Sequence, residues 1–187
     1  VKRIIVIVIW VVAAAGLLVL LGFINRETAS STCWNLTVDV DVSAGNYFVD
    51  DEIVRNTIYD LGDSIVGTTM SEISIHRLRN AILQHEAVKN AEVIKTIDGQ
   101  VKVKVDQRIP IARILLPEDP GFYIDADGMV MPLSDKFTAH VPVFTGHVDM
   151  PVNGETSEQV TEMFTLANFV RASEFWSAQV EHMYVNE

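Results

Sequence analysis

From Ile4 to Ile24 the chain carries 21 consecutive residues without a charge. At about 1.5 Å per residue such a run makes a helical rod of roughly 30 Å, the thickness of a bilayer's hydrocarbon core. Its β-branched opening, Ile4-Ile5-Val6-Ile7-Val8-Ile9, is no obstacle in lipid, where a helix is the only way for a lone segment to satisfy its own backbone. The pattern then changes to a period of two. Leu36, Val38, Val40 and Val42 alternate with Thr37, Asp39 and Asp41, which predicts a half-buried strand ending at Gly45-Asn46.

Two helices are predicted next. Asp50-Asp51-Glu52 supplies a cap and acids for the positive end of the first, with Ile53, Val54, Ile58 and Leu61 on its apolar face and Gly62 closing it. The second begins near Ser74, with Ile75, Leu78, Ile82 and Leu83 inward, Arg77 and Arg79 in solvent, and an end near His85-Glu86. A hairpin follows: Val88 to Ile97, a two-residue Asp98-Gly99 turn, and a return from Gln100 to Val105. Lys102 and Lys104, alternating with Val101, Val103 and Val105, read as a solvated sheet face.

Beyond this β-α-α-β-β order, Ala112 to Leu116 is apolar and Pro117-Glu118-Asp119-Pro120-Gly121 marks a boundary or long turn. Short strands are predicted at Phe122-Tyr123-Ile124, Met129-Val130-Met131 and Val141 to Phe144. Thr156 and Gln159 stand in capping-box spacing before a helix whose inner face is Val160, Met163, Phe164, Ala167 and Val170. Gln179 to Val185 reads as one more strand, too apolar to stay unpaired, so further residues are expected beyond it.

Charge sharpens the division. The chain has 187 residues, a mean hydropathy of +0.23 and a net charge of −11. Three of its 14 basic residues, Lys2, Arg3 and Arg26, flank the apolar run, while every acid lies at Glu27 or later. Beyond the run, 25 acids therefore face 11 bases, a net of −14. Collagen, disorder and a disulfide scaffold are excluded, and so acidic a region without a basic stripe argues against nucleic acid. Lys2-Arg3 orients the span with its N-terminus in the cytoplasm. A cleaved signal peptide with Ala29-Ser30-Ser31 as its cleavage region is the competing reading, disfavoured by the length of the core. Because the sequence opens at Val1, a longer cytoplasmic tail is expected. Cys33 permits no internal disulfide, and reads as a tolerated free thiol in a linker or as half of a bridge between chains.

Three stretches carry a resemblance to the FtsQ/DivIB family of bacterial cell-division proteins. Leu78 through Val93, closing on Ala87-Val88-Lys89-Asn90-Ala91-Glu92-Val93, looks like the family's passage from helix to strand. Val101 to Val105 running into Arg108-Ile109-Pro110-Ile111-Ala112-Arg113 is similar to its strand followed by x-x-Pro-x-Ala, with Asp106 matching only loosely the acid expected before it. Tyr123 through Val130 looks like the hairpin that opens its second domain. The resemblance implies an α+β protein: a single transmembrane helix, a POTRA-like β-α-α-β-β domain, and a mainly antiparallel β domain with one or two helices. The expected boundaries are a tail remnant at 1–3, the span at 4–24, a linker at 25–35, the POTRA domain at 36–114 and the β domain, incomplete at its end, at 115–187.

No catalytic chemistry is legible beside it. His76, His85, His140, His147 and His182 fall on different predicted elements without metal-ligand spacing. Asp125-x-Asp127-Gly128 lacks the remaining ligands of a calcium loop and reads as a tight turn. A nucleophile elbow, P-loop or dinucleotide fingerprint is missing. The expectation is a non-enzymatic scaffold without cofactor, nucleic acid or small-molecule substrate, held in the cytoplasmic (inner) membrane and enriched at the septum. The alternatives are a POTRA-containing component of outer-membrane assembly or secretion, or an exported enzyme. By resemblance the partners are membrane lipid, FtsB/DivIC-type and FtsL-type division proteins, and the septal wall-synthesis machinery. Partner binding maps by the same resemblance to Asn90, Val93 and Lys95, through strand addition.

Overall fold

The computed structural model describes residues 2–62, 64–117, 119–148 and 157–186; the side chains of residues 2, 6 and 20–30 lie outside that description. Helix α1 (Lys2–Ser30) contains the uncharged run and has 29 residues, about 43 Å of rise. Its described large side chains, among them Ile4, Ile9, Trp10 and Leu18, are exposed. Among the described residues no helix is long and apolar enough to cross a membrane; the continuous stretch of described side chains from 7 to 19 is shorter than a span.

The first domain is built as the pattern predicts. Strand β1 (Asn35–Asp41), helices α2 (Asp51–Asp60) and α3 (Ile75–Leu83), and strands β2 (Val88–Lys95) and β3 (Gln100–Gln107) follow in order. Asp50 caps α2, its Oδ1 accepting from the Ile53 N–H at 2.8 Å, and Ser74 caps α3 through the Arg77 N–H. Each cap is worth about 1 kcal/mol. Val54, Ile58, Leu78 and Ile82 are buried against Val101, Val103 and Val105. Ile75, expected inward, is the first residue of α3 and is 40% exposed, while Leu78 and Ile82 are buried. The strand order is β1-β3-β2, with β1 parallel and β2 antiparallel to β3.

Two local expectations are corrected. The hairpin closes with three residues, Ile97-Asp98-Gly99: Thr96 exchanges bonds with Gln100, the Gly99 N–H reaches the Thr96 carbonyl, and Gly99 has φ +82°. That is the three-residue loop with glycine in its left-handed position, favoured because Thr96 Oγ1 also receives the Gln100 N–H. Residues 31–34 are no free linker. Cys33 is fully buried and exchanges backbone bonds with the 67–68 turn, while Ser31 O accepts from the Met70 N–H. Its burial closes the thiol to a bridge between folded chains.

The second sheet has the order β6-β5-β4-β7-β8, formed by β4 (Pro110–Ile114), β5 (Phe122–Asp125), β6 (Val130–Pro132), β7 (Val143–Gly146) and β8 (His182–Val185). β4 lies at its centre, so the second domain begins near residue 109 and not after 114. The sheet is also mixed. β4–β5 and β5–β6 are antiparallel, but β4–β7 and β7–β8 are parallel, since α4 (Glu158–Ala172) and α5 (Glu174–Gln179) form the crossover that a parallel β8 requires. Val160, Met163 and Ala167 of α4 pack on Ile114, Ile124 and Phe144. The cap of α4 is Ser157, whose Oγ accepts from the Val160 N–H at 3.2 Å; Thr156, the expected cap, lies outside the described residues.

Candidate partner-binding surfaces

β2 is an edge of the first sheet. On its inner face Ala91 and Val93 are buried against the helices; on its outer face Asn90, Glu92 and Ile94 are exposed. Of the three residues implicated by resemblance, Asn90 thus faces away from Val93 and Lys95, as strand alternation demands. Asn90 Nδ2 donates to Asp106 Oδ2 at 3.2 Å across the sheet. Val93 is buried. The Lys95 ammonium donates to the Met70 carbonyl, pinned to the inner side. What the three share is the edge itself. One carbonyl there, that of Ala91, already accepts from Arg79 Nε at 2.8 Å, while the Arg79 side chain remains exposed as expected. The backbone groups of Val93 and Lys95 leave the strand on the same side as those of Ala91, because these groups alternate residue by residue.

A second constellation joins the domains. Arg108 donates from its backbone to the Ala87 carbonyl, from Nε to the Glu86 carbonyl at 3.1 Å, and from Nη1 to Asp125 Oδ2 at 2.7 Å. Asp125 is 1% exposed, and its Oδ1 accepts from the Asp127 and Met129 N–H groups. That completes the tight turn expected at Asp125–Gly128, with Gly128 N–H bonded to the Asp125 carbonyl. Lys89 and Asp127 pair at 2.6 Å on the surface beside it. Phe48 meets Tyr123 edge-on at 5.6 Å and Phe137 at 4.9 Å, so Tyr123 and Met131 of the second sheet belong to the first domain's core. All three stretches quoted for the resemblance converge on this junction. The Arg108–Asp125 contact was not foreseen, since nothing in local spacing says that residues 17 apart will share a buried pair.

Next to the junction an open cleft of about 470 Å³ is lined by Phe48, His85, Leu133 and Lys136. Burial holds the His85 imidazole below its ordinary pKa, with Glu86 opposing; its Nδ1 accepts from the Ala87 N–H at 3.3 Å. Across the cleft Lys136 pairs with Asp50 at 2.9 Å, and that bond, with the Ile53 N–H, lowers the Asp50 pKa. These groups fasten loops together. Among the described residues, no group of three His, Cys, Asp or Glu side chains could hold a metal ion.

A β-α-α-β-β domain latched to a mixed sheet with a helical crossover defines a two-domain α+β protein of POTRA type. Residues 31–106 match the family described as a POTRA-like domain, and residues 109–187 match the one described as FtsQ/DivIB, C-terminal related. A curated relative, the cell division protein FtsQ of Syntrophotalea carbinolica, is 32% identical over 84 residues, which span 45% of this chain and 29% of that relative. Taken in order along the chain, these matches make it similar to FtsQ/DivIB proteins over two successive segments, and the aligned part spans under a third of that relative's length.

Proposed function

We propose that this chain is a non-enzymatic scaffold of bacterial cell division, anchored in the cytoplasmic membrane by α1 with the two domains outside the cytoplasm. The observation that carries the reading is the succession of a POTRA-like domain and an FtsQ/DivIB-related domain behind an uncharged run of 21 residues. Lys2-Arg3 before the run favours the N-terminus inside. Tethering confines the domains to the membrane surface, where each docking contact with another anchored protein acts at high effective concentration. The β2 edge around Asn90, Val93 and Lys95 serves strand addition by partners of the FtsB/DivIC and FtsL type, which link it to the septal wall-synthesis machinery. Main-chain bonds supply affinity there and alternate side chains supply selectivity.

The test is a fluorescent fusion with depletion in dividing cells. Enrichment at midcell and filamentation on depletion are the expected results. Uniform envelope fluorescence with normal division would overturn the proposal.

A further inference from the structure

The most exposed large apolar side chain described is Ile97, at 88%, on the tip of the β2–β3 hairpin. Beside it stands Trp34, 60% exposed. Trp34 is fixed against the hairpin. The Trp34 N–H donates to the Gly99 carbonyl at 3.1 Å, and the indole Nε1–H donates to the Asp98 carbonyl at 2.7 Å. A Cβ on Gly99 would stand 3.2 Å from both Thr32 O and Trp34 Cδ1, so the glycine lets the ring lie against the turn. With its N–H satisfied inside the protein, the indole presents only apolar surface. The nearby Asp98 carboxylate is drawn back, accepting from Gln100 Nε2 at 2.7 Å.

The position of this ledge along the chain decides its occupant. Trp34 follows the end of α1 at Ser30 by four residues. α1 continues past Ile24 for about 9 Å of rise, while each headgroup layer is roughly 5–7 Å thick. The ledge therefore begins within a side chain's reach of the membrane–water interface, the level at which Trp rings are enriched. We propose that Trp34 and Ile97 form a membrane-contacting ledge that rests the first domain on the lipid interface and limits its tilt. This rests on the anchoring role of α1 proposed above. The occupant is the lipid surface next to the chain's own span and not a second protein.

The three tryptophans, Trp10, Trp34 and Trp176, allow the two ideas to be separated. The whole chain is reconstituted in phosphatidylcholine vesicles whose lipids carry bromine at shallow or deep acyl positions. With W10F and W176F, Trp34 is the sole reporter; with W34F and W176F, Trp10 is. The expected result is Trp34 emission quenched by shallow bromines, Trp10 by deep ones, and most of the Trp34 quenching lost in I97D while Trp10 quenching is retained. Quenching of Trp10 alone would overturn the ledge and leave the anchor standing. Quenching of neither would overturn the anchor and the ledge with it. Trp34 quenching indifferent to I97D, or Trp34 shielded only after a purified division protein is added, would also overturn it. Ile97 is nearly free of contacts, so retained circular dichroism and melting temperature in I97D confirm that the fold is unchanged.

Discussion

The two sheets treat their open faces differently. The outer face of the first is a checker of charges, with Asp39, Lys104 and Glu92 in one row and Asp41, Asp106 and Asn90 in the next. It needs no cover. On the second sheet the row Met131, Tyr123, Arg113, Val143, His182 runs from buried to exposed, because the first domain closes over its β5–β6 side. The first sheet leaves its outer face open to water, whereas part of the second sheet's face is covered by the first domain, whose core it shares through Tyr123 and Met131. The three stretches that resemble the FtsQ/DivIB family meet where the two domains join, at Arg108, Asp125 and the Glu86–Ala87 carbonyls.

The comparison can be broken at several points. Val93→Asp should destabilise the first domain most, on the order of 5 kcal/mol, since it buries an unpaired carboxylate. Chemical denaturation would show it. Loss of midcell recruitment in that variant would therefore report unfolding and not a lost docking contact. Arg108→Ala strands the buried Asp125 and should cost about 3–5 kcal/mol, with the second domain's transition falling away from the first's. Lys89→Ala, which removes a pair half open to water, should cost about 0–1 kcal/mol in the same assay. If the two cost the same, the junction is not organised around the buried pair.

The smallest effect is a pH dependence. His85 has a folded-state pKa lowered by burial, so the unfolded chain binds the proton more readily. Stability should be full above the unfolded value near 6.5 and decline as pH falls through it, when protonation also removes the acceptor for the Ala87 N–H. His85→Gln should flatten that part of the stability curve. Asp50, lowered by Lys136, acts in a separate window: its contribution is present above about pH 3.9 and is lost as pH falls further.

Much of the local chemistry was legible in the sequence. Asp50 and Ser74 cap the helices they were expected to cap, and the order β-α-α-β-β follows from the change of period along the chain. Some misplaced features are local, such as the hairpin loop of three residues where two were expected; the larger ones are non-local. β4 is short and buried at every position but Arg113, so nothing in Pro110–Ile114 says which sheet owns it. Whether β8 runs parallel to β7 depends on the crossover through α4 and α5, which no window of sequence contains. For the surfaces, strand alternation alone already separates Asn90 from Val93 and Lys95. What was hidden is that Arg79 and Met70, distant in sequence, occupy part of that edge.

The most direct test of the scaffold account compares the two edges of one sheet in living cells. Asn90 and Asp41 lie in the same cross-strand row, on β2 and β1, both exposed. A photo-crosslinking amino acid is placed at one or the other in the full chain, and adducts from dividing cells are identified by mass. The account predicts adducts to an FtsB/DivIC-type or FtsL-type division protein from position 90 and none from position 41. Equal capture from both edges, or capture from position 41 alone, would contradict it.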